Sequence, residues 1–377
     1  MYTFNLGAKI YMSECSLDPV LEGRQNVLII TDKFIAESGL VKYVTDHLDK
    51  ISAAYSIFSD VHPDPDTGTV TAALEAMEKQ NADCIIAMGG GSPIDTAKAV
   101  RFFWETKLGQ PQVHFIVIPT TSGTGSEVSA YAVITDKEKG AKYPLISDRL
   151  LPDAAVLDAA LVVSVPPQVT ADTGIDVLTH ALEAFVSIKH SDFSDAMAEK
   201  AIQLICHNLP VVYKDGKNLE ARQSVHDAAC MAGIAFSNAG LGLNHAMAHA
   251  LGAKFHIPHG RANGILLPYV MKFNAGCETK LTDTAQRYAT MAHVLRIEGS
   301  SIRQSSLALI RAVKGLVERI GIPTTIRAAG IAKEEFEAEL NTLADLAMAD
   351  RTLATNPVKP TKEEVIELFR GAYHGEL

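Results

Sequence analysis

Asp176 and His180 stand one helical turn apart in TGIDVLTHALEAF. Residues at i and i+4 share a helix face, so both side chains can point at one ion. Further along, NHAMAHALGAKFHIPHG carries His245, His249, His256 and His259, a dense cluster for a chain with 13 histidines. A carboxylate with several imidazoles suits iron, zinc, manganese or nickel, whereas magnesium and calcium want oxygen shells. The alternative is that these histidines only hydrogen-bond inside a packed core, the default for one isolated histidine. An Asp-x-x-x-His pair joined to a four-histidine cluster points instead to a divalent metal site. Spacing alone leaves open which members of the cluster bind.

A second set of residues suits a nucleotide. The apolar run Cys84–Met88 ends in Gly89, Gly90, Gly91, Ser92 and Pro93. Glycines between a strand and a helix let backbone N–H groups approach phosphates at the helix N-terminus, and proline fits that first turn. A purely structural turn would look the same. The run Phe115–Ile118 feeds a similar loop, Pro119 to Glu127, full of hydroxyls and glycines. Two such loops at strand ends belong where open α/β sheets bind ligands. Asp32 follows VLIIT, where a carboxylate can bond a ribose 2′-hydroxyl and repel a 2′-phosphate, favouring NAD over NADP. Its competing role is a cap on a helix from Lys33.

The elements that must position these groups differ between the two halves. Short β-branched runs at 27–31, 54–58, 84–88, 115–118 and 154–157 alternate with amphipathic stretches at 70–79 and 94–103. Continuous rather than alternating apolar runs predict parallel strands buried on both faces, hence an α/β, Rossmann-like N-terminal dinucleotide-binding domain over 1–165. SVPPQVTADTG then breaks the pattern. Beyond it helical periodicity dominates at 194–209, 220–235, 302–320 and 333–348, and Thr361 with Glu364 forms a capping-box spacing. An all-helical metal-binding and catalytic domain is expected over 166–377, holding every candidate ligand.

Composition narrows the partners. At 377 residues, two domains are the default. A net charge of -10 argues against nucleic acid and anionic membrane surfaces. No run is long enough to span a membrane, and MYTFNLGAKIYMSEC lacks a secretory pattern. The cysteines number 5 (Cys15, Cys84, Cys206, Cys230 and Cys277) and form no C-x-x-C pair, which points to a reducing, cytoplasmic setting.

Taken together, MGGGSPIDTAKA, IPTTSGTGSEV, KYPLISDRLLPDAAVLD, TGIDVLTHALEAF and GLGLNHAMAHALGAKFHIPHG resemble the iron-dependent (group III) alcohol dehydrogenase family. The match runs in order from Asp32 to about Asn274; the tail matches in helical character and in the TNP at Thr355–Pro357. Where many members have a glycine-rich turn after the first strand, this chain has YMSECSL. The resemblance implies an active site in a cleft between the two domains and a metal shell of Asp176, His180, His245 and His259, holding Fe(2+) with zinc as the alternative. It puts NAD(H) contacts on Asp32, Gly90, Gly91, Ser92, Asp95, Thr120, Thr121 and Thr124, with Lys142 near the nicotinamide end. His249 falls beside the metal or the substrate, and His256 near the site without a bond to the ion.

Within the family, VVSVPPQVTADTGIDVLTHALEAFVS and SDFSDAMAEKA are most similar to members from bacterial propanediol-utilisation microcompartments. That implies a short-chain aldehyde or alcohol substrate, propanal foremost, a homodimer or higher homo-oligomer, and microcompartment shell proteins as partners. His249, then His256, becomes the proton relay, because imidazole titrates near neutrality. Phe185 and Phe255 are candidates for an apolar pocket, with core packing as their competing role. Three other readings remain: a diol or polyol dehydrogenase, a dehydroquinate-synthase-like lyase, and a non-catalytic shell-associated protein. The lyase would need several cations around a phosphate, and only Lys254 and Arg261 are near in sequence.

Overall fold

The computed structural model describes residues 3–12, 17–137 and 141–377, with the backbone alone at 141 and 142. Cys15 and most of the YMSECSL segment lie outside the described residues. Two compact units divide the chain, with Asn5–Ser164 in one and Val165–Leu377 in the other.

Asn5–Ser164 is built on strands β1 (Lys9–Met12), β2 (Asn26–Asp32), β3 (Ala54–Val61), β4 (Cys84–Gly89), β5 (His114–Pro119), β6 (Tyr131–Asp136), β7 (Ala141–Ile146) and β8 (Ala154–Leu157). Helices α1 (Asp18–Leu21), α2 (Lys33–Ser38), α3 (Lys42–Lys50), α4 (Thr67–Gln80) and α5 (Gly91–Thr106) connect them. Six strands form one parallel sheet in the order β1-β8-β5-β4-β2-β3, and β6 pairs with β7 as an antiparallel hairpin. Both faces are covered, which explains the continuous apolar runs. Val27 and Ile29 of β2 pack with Val44 and Leu48 on one side. Leu28 and Ile30 pack with Val70, Met77 and Ile94 on the other. The sequence periodicity finds β2, β3, β4, β5 and β8 but misses β1 and the β6–β7 hairpin. Both are partly exposed, and β6 mixes buried with exposed positions, so no continuous apolar run marks them.

Parallel strands put all their C-terminal ends on one edge. Asp32, the Gly89–Ser92 turn and the loop after β5 are therefore neighbours. Chain order reverses between β2 and β4, the kind of point at which such sheets open a ligand crevice. Thr31 Oγ1 donates to the Met88 carbonyl at 2.7 Å and ties the two strand ends together.

Val165–Leu377 is helical throughout: α6 (Pro167–Val186), α7 (Asp192–Lys214), α8 (Leu219–Ala239), α9 (Leu243–Phe255), α10 (His259–Ala275), α11 (Asp283–Val294), α12 (Ile302–Arg319), α13 (Lys333–Ala349) and α14 (Lys362–His374). The double proline sets the start of α6, with Pro167 at its first turn, where a missing N–H costs nothing. α6 is buried on nearly every side from Gly174 to Val186, as expected of a helix apolar all round. Close approach is bought with glycine: a Cβ on Gly260 of α10 would lie 1.8 Å from the Asp172 carbonyl of α6. The Thr361–Glu364 capping box forms at α14 as its spacing predicts. No helix among the described residues is long and apolar enough to cross a membrane.

One buried cation organises the sheet unit. Lys98 of α5 is fully buried, and its Nζ donates to the carbonyls of Ser129 and Tyr131, both at 2.7 Å. Burial lowers its pKa to about 8. Replacing it with an apolar chain leaves those carbonyls without a donor, at a cost of about 1–3 kcal/mol for a buried group. Lys98→Met should therefore lower the urea midpoint of unfolding by an equivalent amount, with far-UV circular dichroism in buffer unchanged.

Candidate metal centre and nucleotide loops

Three helices bring the ligand candidates together. α6 supplies Asp176 and His180 on one face, α9 supplies His245 from its first turn, and α10 supplies His259 at its start. One donor atom from each lies within 4.8 Å of every other. Asp176 Oδ1 is 3.4 Å from His259 Nε2 and 3.6 Å from His245 Nε2, and Asp176 Oδ2 is 3.9 Å from His180 Nε2. These separations are too long for hydrogen bonds. They suit four ligands sharing one ion, since tetrahedral donors at ~2.1 Å from a metal stand about 3.4 Å apart. The donor set, one carboxylate and three imidazoles, fits a borderline divalent ion.

The electrostatics favour binding-competent forms of Asp176 and His180. Burial would raise the Asp176 carboxyl, but His180, His259 and His245 together hold it well below the usual range. Burial lowers His180 to about 4, which keeps that imidazole neutral. Metal ligands must be deprotonated carboxylates and neutral imidazoles, so both are ready. At His245 burial opposes the charge, yet the Glu183 carboxylate and Asp176 overcome it and raise the pKa to about 9.

Several residues to which the sequence reading gave no part in the metal site hold this set. Asn263, one turn after His259, donates from Nδ2 to Asp176 Oδ1 at 2.7 Å. Its orientation is fixed because Asn244 Nδ2 donates to its Oδ1 at 2.9 Å. Arg261 grips Asp172 with two parallel bonds, Nε to Oδ1 at 3.1 Å and Nη2 to Oδ2 at 2.9 Å, clamping α10 to α6 one turn before Asp176. Glu183, one turn after His180, meets His245 Nδ1 at 2.5 Å. A signal existed for two of them: Glu183 continues the Asp176–His180 face, and Asn263 continues that of His259.

His249 stands beside these four side chains. Its ring stacks on His259 at 5.2 Å and meets His245 edge-on at 5.9 Å. Nδ1 lies 2.8 Å from Asp350 Oδ2, while Asp350 Oδ1 accepts from Thr352 N and Oγ1, both at 2.8 Å. Burial raises the Asp350 carboxyl, but its bond to His249 prevails and holds it at about 2. Nothing in the sequence linked Asp350 to His249, which lies far away along the chain. His256 sits elsewhere: it ends α9 with φ 55° and is exposed. Among the described residues its ring touches none of the stacked imidazoles. Phe185 is buried under the Arg287 guanidinium, 4.4 Å from its ring centre, so it packs. Phe255 is half-buried. Lys254 pairs with Glu339 at 2.8 Å, and Arg261 with Asp172. Both cations that a phosphate-binding lyase would need are engaged.

In the sheet unit, α5 starts at Gly91 after Gly90, with no side chain capping its first turn. The glycines serve packing as well as any ligand. A Cβ on Gly89 would meet Pro93 Cγ at 2.6 Å, and one on Gly91 would meet Thr124 Cγ2 at 3.1 Å. Gly90 faces Thr121 Oγ1 in the same way, at 3.3 Å. The two loops thus lie in contact, and Thr120 N donates to the Gly89 carbonyl at 2.9 Å. Thr120 is buried, Ser92 and Thr121 are half-buried, and Thr124 is exposed. Asp95 uses both oxygens inside the unit, accepting from Ser126 Oγ at 2.8 Å and Val133 N at 2.9 Å. Asp32 caps α2, its Oδ1 accepting from Ile35 N at 2.9 Å. The backbone of Lys142 pairs with Thr135 in the β6–β7 hairpin, and its side chain lies outside the described residues.

Comparison with known proteins agrees with this construction. The description "Iron-containing alcohol dehydrogenase" matches residues 14–159, and "Fe-containing alcohol dehydrogenase family, C-terminal" matches residues 170–373. The chain is 44% identical to 1-propanol dehydrogenase PduQ of Citrobacter freundii, over 95% of its own length and 96% of the relative's. It is 40% identical to the NADPH-dependent butanol dehydrogenase of Clostridium saccharobutylicum, over 100% of its length and 99% of the relative's. The solved structure of a 1,3-propanediol oxidoreductase superposes with a TM-score of 0.92 at 32% identity, covering 99% of this chain and 100% of that one. The chain therefore belongs to the iron-containing alcohol dehydrogenase family and is a metal-dependent, NAD-binding alcohol dehydrogenase.

Proposed function

We propose that this enzyme reduces short-chain aldehydes, propanal foremost, to primary alcohols with NADH, using Fe(II) held by Asp176, His180, His245 and His259. The observation that carries the reading is the convergence of these four donors within 4.8 Å of one another. When bound, a divalent ion supplies Lewis acidity toward the substrate oxygen, and a nicotinamide supplies the hydride. The chain's own part is to bind, orient and move a proton. With Nδ1 engaged by Asp350, His249 keeps Nε2 free on a partly exposed ring beside the ligands, which supports it as the proton donor to the nascent alkoxide. His256, exposed at the end of α9, is the candidate for passing that proton onward. Gly90, Gly91, Ser92, Thr120, Thr121 and Thr124 cradle the dinucleotide, with the uncapped start of α5 favouring its phosphates. Asp95 braces that cradle, Lys142 approaches the nicotinamide end, and Asp32 Oδ2 is left for a ribose hydroxyl.

A diol reading has its own support, the likeness to 1,3-propanediol oxidoreductase. Likeness to PduQ favours the monoalcohol; the segments around Val165 and Ser194 support a homodimer or higher homo-oligomer in the cytoplasm, within a microcompartment.

Three measurements test this reading. Metal analysis after anaerobic purification should find iron bound, and His259→Ala should lose both the metal and at least about a thousandfold in activity, the worth of several kcal/mol of Lewis acidity. Iron-free protein fully active with zinc would overturn the iron assignment. The unmodified enzyme should prefer NADH, and Asp32→Gly should raise relative use of NADPH by roughly tenfold or more, as about 1.4 kcal/mol of charge repulsion is removed. Equal use of both cofactors before mutation would show that Asp32 does not select. Across ethanal, propanal and butanal, rates should differ by less than about a hundredfold, because one methylene is worth only ~1–3 kcal/mol. Turnover of diols alone would replace the monoalcohol reading, and absence from shell-protein fractions would remove the microcompartment.

A further inference from the structure

Helix α9 begins without a cap of its own. Its N-cap is Gly242, which has no side chain to offer the first N–H groups. Two side chains from distant parts of the same unit take that place. Asn356 Oδ1, from the TNP segment, accepts from Leu243 N at 2.9 Å. Glu183 Oε1, from the end of α6, accepts from Asn244 N at 2.7 Å and from His245 N at 3.3 Å. Gly242 makes room for both, because a Cβ there would lie 2.6 Å from Asn356 Oδ1 and 3.0 Å from Glu183 Oε1.

The second oxygen of the same carboxylate has a different partner. Glu183 Oε2 stands 2.5 Å from His245 Nδ1, with the side chains 5% and 1% exposed. A carboxylate can only accept, so Nδ1 carries the hydrogen, and in the neutral ring that binds a metal the lone pair is on Nε2. That nitrogen is the one facing Asp176, at 3.6 Å. An imidazole bound to a metal through one nitrogen is oriented by an acceptor at the other.

We propose that Glu183 is a positioning residue that makes the first turn of α9 and the metal-ready state of His245 a single event. One oxygen fixes where the helix starts, and the other fixes the tautomer and direction of the ring it carries. Once α9 is formed, the lone pair already points at the ligand cluster. The inference rests on Asp176, His180, His245 and His259 being the ligand set. A residue that merely capped α9 would need only an acceptor at Oε1, and this difference makes the roles separable.

Glu183→Gln keeps a carbonyl oxygen for the N–H groups of Asn244 and His245. Its NH2 is a donor, however, and turned to His245 Nδ1 it demands the lone pair there and moves the hydrogen to Nε2. Zinc affinity measured by competition with a chromophoric chelator, and thermal unfolding of the metal-stripped protein, read the two roles apart. Glu183→Gln should bind zinc ten- to a hundredfold more weakly while melting within about 2 °C of the unmodified metal-free protein. Glu183→Ala should lose affinity and melting temperature together. Undiminished zinc affinity in Glu183→Gln overturns the proposal, as does a stability loss in it equal to that of Glu183→Ala. A third measurement needs no variant. In the zinc-loaded protein with 15N-labelled histidine, His245 should show its N–H at Nδ1 and its metal at Nε2, and the reverse overturns the proposal. If the unmodified protein holds no zinc at all, the ligand reading itself has failed, an outcome distinct from these.

Discussion

A carboxylate cannot be sunk where Asp176 lies unless its surroundings answer its charge. Its residue is 5% exposed, and an isolated ion at such a place would be neutralised rather than tolerated. Three imidazoles and the Asn263 amide converge on it, and the pull of the imidazoles outweighs the cost of burial. That demand sets much of the helical unit. Donors on α6, α9 and α10 can reach one point only if the helix backbones come close, so small residues recur along their contacts. Gly260 lies against the Asp172 carbonyl, and Gly264 against Ile175. The alanine-rich character of these helices follows from the same need.

Around the convergence, polar side chains act in pairs across helices. Glu183 links α6 to α9, Asn263 links α10 to α6, and Arg261 with Asp172 repeats that link one turn earlier. Asn356 reaches α9 from the far end of the chain and is itself held by Asn274 at 2.9 Å. A buried network of this kind rigidifies a site when its members are satisfied. Here it holds an imidazole-rich cluster with Nε2 atoms turned inward, the arrangement a borderline metal requires. His249 extends the same logic outward, anchored on one nitrogen and open on the other.

The sheet unit solves a different problem, which is how to bring three loops to one edge. Parallel pairing does this without further help, because every strand delivers its C-terminal end to the same side. Loop chemistry then divides between structure and ligand. Gly89 and Gly91 are required by close packing against Pro93 and Thr124. Asp95 and Lys98 hold the second loop and the hairpin from within. Thr124 faces outward, and the start of α5 is left without a side-chain cap.

The amino-acid sequence by itself determined whatever depends on local periodicity. Buried strands, long helices, the Pro167 start of α6 and the Thr361 capping box all follow from patterns within a few residues. The Asp176–His180 pair was equally legible, because a helix turns its own spacing into proximity. The membership of His245 and His259 in one cluster was decided by the tertiary structure, since they lie at the start of two helices whose angle no local pattern encodes. The same is true of Glu183 on α9, Asp350 beside His249 and the cap from Asn356. Each is a hydrogen bond between residues 61 or more positions apart, formed when packing brings a donor to a distant acceptor. The exposed edge strand β1 and the β6–β7 hairpin stayed hidden for the opposite reason: with so little of their surface buried, the apolar pattern that betrays a strand was never needed.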